Sequence, residues 1–570
     1  MISARQVRYF LATDHCPLSY HVFMHILSAT EMQACDRVTT ERFGVASTEL
    51  MRAASAAVAA FARAEFPAAR RVTVLCGRGN NGGDGMMAAR LLAEAGLEVT
   101  TLLLGAPERL GPDMVKAWGE LLEGAAPRTV HVVEKVEQLA AHENALRADL
   151  LVDAVVGTGF KPPLKGLALA ALEWLKGSKA PILAVDLPSG WPADDTSATV
   201  AGPVFPADAV ITFTAPKPAH VFGQLTRHWS QPIVVAPIGS PEEAMVSTLN
   251  LTWAGSALSL AQTPRPATSS KGNYGHVLVV GGSLGAAGGK SGAPALAALG
   301  ALRAGAGLVT AAVPAPALTL VAAIAPELMS WPLAATTAGC ISEKNLAPEF
   351  LSTLMAGKTV LAIGPGLGQS PETVKFTTGL LAATKIPAVI DADALNILAA
   401  KPVLLAKLAK GRTLVLTPHP GEMARLAGVT VAEIQANRLE AARSFAQRTG
   451  VTLVLKGART LIAHPDGRVA VNTTGNPGMA KGGSGDLLTG LIAGLMAQYP
   501  VEAARAVEAA VYLHGFAADL AVRRDDEHTL LATDSLSYLG QAFRFDSRGQ
   551  TGYLWLQGAW HAAAPDEARE

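Results

Sequence analysis

Apolar and polar positions fall into two long runs of one style, in which short, wholly apolar stretches alternate with longer amphipathic ones. In the first run, from about Leu27 to Ile238, strands are predicted at Val72–Cys76, Val99–Leu104, Leu150–Val156, Ile182–Val185 and Ala209–Phe213. Helical patterns lie between most of them, the signature of a mostly parallel sheet covered on both faces. From Gly239 to Ser270 the pattern lapses into polar, Pro-rich sequence (SPEE, then QTPRPATSSKGN), which marks a domain boundary. The second run starts at His276, with strands predicted at Val277–Val280, Leu308–Val313, Thr359–Ile363, Ala388–Ile390, Leu414–Leu416 and Val451–Leu455. Helices are predicted at Ala293–Ala304, Val431–Gln447, Asp486–Gln498 and Ala503–Arg523. The periodicity fades from Asp546. The expected organisation is an extension at 1–24, a domain at 25–240, a linker at 241–267, a domain at 268–545 and a tail at 546–570. The expected class is α/β, with a Rossmann-like three-layer domain first.

Lys+Arg and Asp+Glu both number 47 in 570 residues, so the formal charge is zero. That balance argues against a general nucleic-acid binder, which needs excess cations along the phosphates. The four cysteines, Cys16, Cys35, Cys76 and Cys340, are far apart and support neither a disulfide framework nor zinc. The N-terminal residues place Asp14, His15 and Pro17 where a signal peptide needs an apolar core, and Met24 is a second candidate start. Ala304–Pro326 is uncharged and long enough to span a bilayer, but Pro314 and Pro316 interrupt it. The expectation is a soluble, cytoplasmic homo-oligomer acting on small molecules, without nucleic acid or membrane.

VTVLCGRGNNGGDGMMAARLLAEAG reads as a strand, a Gly-rich turn and a helix. Gly77, Gly79 and Gly82 match the dinucleotide fingerprint, but the next strand ends at Leu104–Gly105 without the acid that would hold a ribose. A turn rich in Asn and Gly for backbone reasons would account for Asn80-Asn81-Gly82-Gly83-Asp84 alone. Two further strand ends carry carboxylates: Asp153 before a Gly157-Thr158-Gly159 turn, and Asp186 before Pro188-Ser189-Gly190. Ligands of parallel sheets bind beyond the carboxyl ends of strands, so these loops can converge on one crevice. A carboxylate there is costly unless paired, bound to a cation or catalytic.

These segments, with VITFTAPKPAHVFG and VVAPIG downstream, closely resemble the YjeF N-terminal family of NAD(P)H-hydrate epimerases over roughly 25–240. The resemblance implies that Asn80, Asn81, Gly82, Gly83 and Asp84, with Gly157, Thr158, Gly159, Phe160, Lys161, Pro162 and Pro163, hold the hydrated dinucleotide. It implies Asn81, Asp153 and Ser189 as oxygen ligands of potassium, and Asp186 as both a substrate contact and the acid/base residue. One departure is Met51-Arg52-Ala53-Ala54-Ser55, where the family has a Met-Glu-x-Ala-Gly-like segment.

In the second run, GNPGMAKGGSGDLLTGLIAGLMAQ sets Gly482-Gly483-Ser484-Gly485-Asp486 directly before an apolar helix. Converging backbone N–H groups and the helix N-terminus make an anion hole, and an acid inside it suits a base that deprotonates a hydroxyl attacking phosphorus. An ordinary helix cap is the competing reading. Gly285 to Ser291 mimics a Walker A loop but is one residue short before Gly289, so Lys290 is not read as a phosphate ligand. With AIGPGLGQ, VIDADALNIL, LTPHPGEMARL, VLKGARTLIA and AVYLHGFAAD, the segment closely resembles the ribokinase-like YjeF C-terminal family of ADP-dependent NAD(P)H-hydrate dehydratases over about 268–540. The family often has Thr where Lys481 and Ser484 stand. The resemblance implies dinucleotide contacts at Ala293, Gly366 and His419. For the adenine nucleotide it implies Lys456, Gly457, Ala458, Arg459, Thr460 and Gly485, with Asp486 the base. A buried loop histidine is the competing, lesser reading of His419, and at least one of Asp391 and Asp393, which mimic a metal pair, reads equally as structural. ADP is the implied co-substrate, and magnesium is expected with it.

The implied function is repair of hydrated nicotinamide cofactors: epimerisation of R- and S-NAD(P)HX, then ADP-dependent dehydration of the S form to NAD(P)H, AMP and phosphate. The competing reading is a ribokinase-type small-molecule kinase carrying a non-catalytic dinucleotide-binding domain.

Overall fold

The computed structural model describes residues 24–558 other than 124, 125, 127, 287 and 549–551. The first sheet has eight strands in the order Leu554–Gln557, Ile233–Ala236, Ala209–Phe213, Ile182–Val185, Leu150–Ala154, Arg71–Cys76, Glu98–Leu104 and Arg128–Val133. Every neighbouring pair is parallel except the first. Alternation along the strands serves two faces. Val72, Val74 and Cys76 pack with the helices Ser47–Glu65 and Asn80–Glu94, whereas Leu75 and Leu151 pack with Leu139, Leu172 and Leu175. The chain runs outward from Arg71–Cys76 in one direction and returns at Leu150–Ala154 on the other side, so the switch point lies between these two strands.

The second sheet has eleven strands. Their order is Met24–His25, Leu251–Trp253, Val469–Val471, Leu461–Ala463, Thr452–Leu455, Leu414–Leu416, Ala388–Ile390, Val360–Ile363, His276–Val280, Leu308–Pro314 and Met329–Leu333. Its switch point lies between His276–Val280 and Val360–Ile363. The helix Ser484–Gln498 is buried continuously from Leu487 to Ala497, so an all-apolar pattern marks a central helix and not an amphipathic surface one. It lies against Gly292–Arg303 so closely that a Cβ on Gly490 would sit 2.0 Å from the Ala297 carbonyl oxygen.

Four expectations change. Residues 241–267 are not a linker, because Leu251–Trp253 is a strand of the second sheet. Trp253 is buried there, its Nε1 donating to Thr473 Oγ1 at 2.8 Å. Within the expected tail at 546–570, Leu554–Gln557 pairs antiparallel with Ile233–Ala236, and residues 559–570 lie outside the described residues. Met24, at the end of the expected extension, pairs with Trp253; residues 1–23 lie outside the described residues. Each end of the described chain is thus stitched into the sheet of the other half. Val431–Gln447 is two helices, Val431–Ala436 and Arg438–Thr449, because Asn437 leaves helical geometry (φ −148°) and accepts from Glu440 N with its side chain. The uncharged stretch at 304–326 is the strand Leu308–Pro314 and the short helix Leu318–Ala322. No helix among the described residues is long and apolar enough to cross a membrane.

Two candidate active sites

At the first switch point a cavity of 1140 Å³ opens. Asn80, Asn81, Asp84, Gly157, Thr158, Gly159, Phe160 and Asp186 line it, joined by Lys217 and Asp36, so loops far apart in sequence meet as predicted. Asp186 follows its strand with φ 65°, a strained conformation for a residue with a side chain. Its Oδ1 accepts from Thr212 Oγ1 (2.9 Å) and Lys217 Nζ (3.0 Å), and its Oδ2 from Thr158 N (2.9 Å). His220 Nδ1 accepts from Lys217 N at 3.0 Å, so the ring proton sits on Nε2 and is donated to the Asp186 carbonyl at 2.7 Å. Burial, then the Lys217 charge, push His220 down to about 4, which keeps that ring neutral. Burial pushes the Asp186 carboxyl up, but the Lys217 charge and the hydrogen bonds from Lys217 and Thr212 outweigh it and hold Asp186 below the ordinary carboxylate range. Asp84 and Asp36 are driven the other way, by burial first and then by repulsion from Asp186.

Beside this cavity Ser189 donates from Oγ to Asp153 Oδ1 (2.6 Å) and from its backbone N to Oδ2 (2.7 Å). Burial raises Asp153 to about 6 despite these bonds. Asn81 is 8% exposed, and neither end of its buried amide has a hydrogen-bond partner among the described residues. Gly82, Gly83, Lys161, Pro162 and Pro163 are not among the lining residues. A Cβ on Gly82 would lie 1.9 Å from the Gly77 carbonyl oxygen, and one on Gly83 would strike Met114 and Met51. Gly82 serves the close approach of helix and turn, and Gly83 makes room for the methionines of the helices Ser47–Glu65 and Pro112–Leu122. Met51, in the segment that departs from the family pattern, lines the cavity.

In the second site the helix Ser484–Gln498 is capped by Gly483 in the left-handed region (φ 96°), a residue with no side chain to bond the helix's first N–H groups. A side-chain cap is therefore absent where an anion would sit, and Asp486 stands in the helix's first turn. Burial and then Asp391 push Asp486 up to about 7, against the pull of Lys456 and Lys290. Asp391 is buried, accepting from Lys456 Nζ (2.9 Å) and Thr489 Oγ1 (2.9 Å). Lys456 Nζ lies 3.9 Å from Glu422 Oε2, and Glu422 Oε1 lies 3.5 Å from His419 Nε2. His419 is not a buried loop histidine: its side chain is 53% exposed, and Nδ1 caps the helix Pro420–Ala427 by accepting from Gly421 N at 3.0 Å. A Cβ on Gly366 would lie 3.3 Å from that of Ala293 and 2.6 Å from the Lys290 carbonyl oxygen, which joins those loops at the second switch point.

The models of two families match the chain: YjeF-related protein N-terminus over residues 47–219, and NAD(P)H-hydrate dehydratase over residues 277–540. The bifunctional NAD(P)H-hydrate repair enzyme Nnr of Moorella thermoacetica is 41% identical, covering 91% of this chain and 97% of its own length. The chain belongs to the bifunctional NAD(P)H-hydrate repair enzymes. The Escherichia coli relative is 36% identical, covering 90% of this chain and 92% of its own. Among solved structures, an ADP/ATP-dependent NAD(P)H-hydrate dehydratase from Bacillus subtilis is 33% identical with a TM-score of 0.42, covering 50% of this chain and 96% of that one.

Against that membership, several residues stand at the sites without having been read from sequence. Lys217, Thr212 and His220 lie in the quoted VITFTAPKPAHVFG segment, and a lysine just past an apolar strand carried the same signal that singled out Asp186. Asp36 carried none, because an acid on an amphipathic helix reads as solvated. Lys290, set aside with the false Walker loop, pairs with Asp393 Oδ2 at 3.2 Å, and its charge acts on Asp486. Its segment is a hairpin, Leu284–Gly285 with Gly288–Gly289. Arg459, expected at the adenine nucleotide, has a second connection: its guanidinium donates to Thr473 O (2.9 Å), Gly223 O (3.1 Å) and Gln557 Oε1, which ties the loop at 456–460 to the first sheet's half.

Proposed function

We propose that the first site interconverts R- and S-NAD(P)HX with Asp186 as the proton-transferring carboxylate, and that the second dehydrates the S epimer with ADP. Asp486 takes the proton of the ring hydroxyl, whose oxygen bonds to the terminal phosphorus of ADP as the bond to AMP breaks. The open N–H groups after Gly483 and the Lys456 ammonium face the negative charge that builds on the phosphoryl oxygens. Phosphate then leaves from carbon, pushed by the ring-nitrogen lone pair, and loss of a ring proton restores the double bond of NAD(P)H. The observation that carries this reading is the uncapped helix start with an acid raised to about 7 inside it.

Asn81, Asp153 and Ser189 fit a potassium ion. All offer oxygen, one carries a formal charge, and the Asn81 carbonyl oxygen is buried without a partner. Potassium there would supply positive charge beside Asp153. Magnesium would arrive with ADP. The free thiols Cys35, Cys76 and Cys340 fit a reducing, cytoplasmic setting.

The test is incubation with mixed hydrate epimers plus ADP or ATP, followed by chromatography of nicotinamide species and nucleotides. Both epimers should be consumed, with one AMP and one phosphate formed per NAD(P)H. Nucleotide-dependent phosphorylation of a sugar or pyrimidine, with the hydrates untouched, would establish the kinase reading instead.

A further inference from the structure

Lys217 has a setting that separates it from an ordinary surface lysine. Its side chain is 2% exposed, yet it borders the substrate cavity. Its ammonium reaches three acceptors: Asp186 Oδ1 (3.0 Å), Thr212 Oγ1 (2.8 Å) and Phe213 O (3.4 Å). An ammonium has three N–H bonds, so all are committed. Thr212 Oγ1 accepts from Lys217, which points its own proton at Asp186 Oδ1 and closes a three-membered ring of bonds. A lysine so saturated is poorly placed to trade a proton with substrate, because doing so would break a buried hydrogen bond. Asp186 Oδ2 accepts from the Thr158 N–H and has a lone pair left.

From this geometry we propose that Lys217 is the positioning residue of the epimerase site: with Thr212 it engages one oxygen of Asp186, holds the group as a carboxylate, and leaves the other oxygen for the substrate proton. The proposal rests on Asp186 being the acid/base residue. Asp186 shares its surroundings with Asp84 from the helix Asn80–Glu94, Asp36 from the helix Ala29–Phe43 and neutral His220 from Pro218–Phe222. Three acids and one buried cation leave Asp186 ionised because it touches the cation directly. Without that cation, burial and the two neighbouring acids would all favour the protonated form.

The experiment compares pH profiles of epimerisation, corrected for spontaneous interconversion, in wild type, Lys217→Met, Lys217→Arg and Thr212→Val. ADP-dependent dehydration by the same chain reports folding. Wild type should stay level down to about pH 5, whereas Lys217→Met should lose on the order of tenfold or more at low pH and recover as pH rises, its acid limb displaced upward by at least about one unit. Lys217→Arg should restore much of the low-pH rate. Thr212→Val should move the limb in the same direction by less, and serves as the reading if Lys217→Met also loses dehydration. A loss uniform in pH, or acid limbs unmoved in a chain that still dehydrates, overturns the proposal. Asp186→Asn separates this from failure of the underlying reading: if that variant epimerises at the wild-type rate, Asp186 is not the base at all.

Discussion

The two sites each centre on one aspartate near a lysine, and they tune it in opposite directions. Asp186 touches its ammonium, and Lys217 gives it a bond at 3.0 Å with Thr212 alongside, so it stays ionised well below neutrality. Asp486 does not own its lysine: Lys456 bonds Asp391, and the negative Asp391 adds to burial in lifting Asp486 to about 7. The difference teaches that the lysine's partner, more than its presence, sets the chemistry. A carboxylate fixed as an anion is in its proton-accepting form at every pH near neutrality. One poised near neutrality has the proton affinity needed to deprotonate a hydroxyl as it attacks phosphorus.

The largest expected effect breaks the second half of this comparison. Asp486→Asn keeps the glycine hole and removes the proton acceptor, so dehydration should fall about 10²–10⁴-fold. Loss of a negative charge beside the ADP phosphates should leave ADP affinity unchanged or tighter by calorimetry. Near-normal turnover would place the base elsewhere, and lost ADP binding would make Asp486 a structural residue. Asp186→Asn breaks the first half. R-to-S conversion above the spontaneous rate should fall about 10²-fold or more while dehydration of the S epimer continues.

A pH series sharpens the contrast. Because the raised group must be deprotonated to act, dehydration should climb about tenfold per pH unit below about 7 and level off above it. Bound ADP, being anionic, should move that limb further up and never down. Epimerisation by the same molecule should stay level across that range, since Asp186 is already ionised. Parallel limbs for both activities would erase the distinction. The smallest effect concerns Arg459→Met. If the guanidinium serves the join between the halves, ADP affinity should change by less than about twofold, while stability falls by about 1–3 kcal/mol from lost charged hydrogen bonds. A large loss of ADP affinity would place Arg459 at the nucleotide site.

Much of this was legible in the chain. The central strands, predicted at Ile182–Val185, Ala209–Phe213, Ala388–Ile390 and Leu414–Leu416, have those bounds in the structure, because a strand buried on both faces is apolar at nearly every position. The Gly-rich loops and the acids beside them were equally plain, since few other residue types turn a chain tightly or sit at such a strand end. Short strands such as Leu251–Trp253 and Leu554–Gln557 were not legible. Segments of three or four residues carry no period of their own, and they become strands through the partner they meet. The same holds for tuning. Sequence determined that Asp186 and Asp486 follow a strand and open a helix, but only the tertiary structure decided that one lysine would face Asp186 and the other Asp391. A carboxylate's proton affinity depends on which charge lies within a few ångströms, and that distance is settled when segments far apart along the chain pack together.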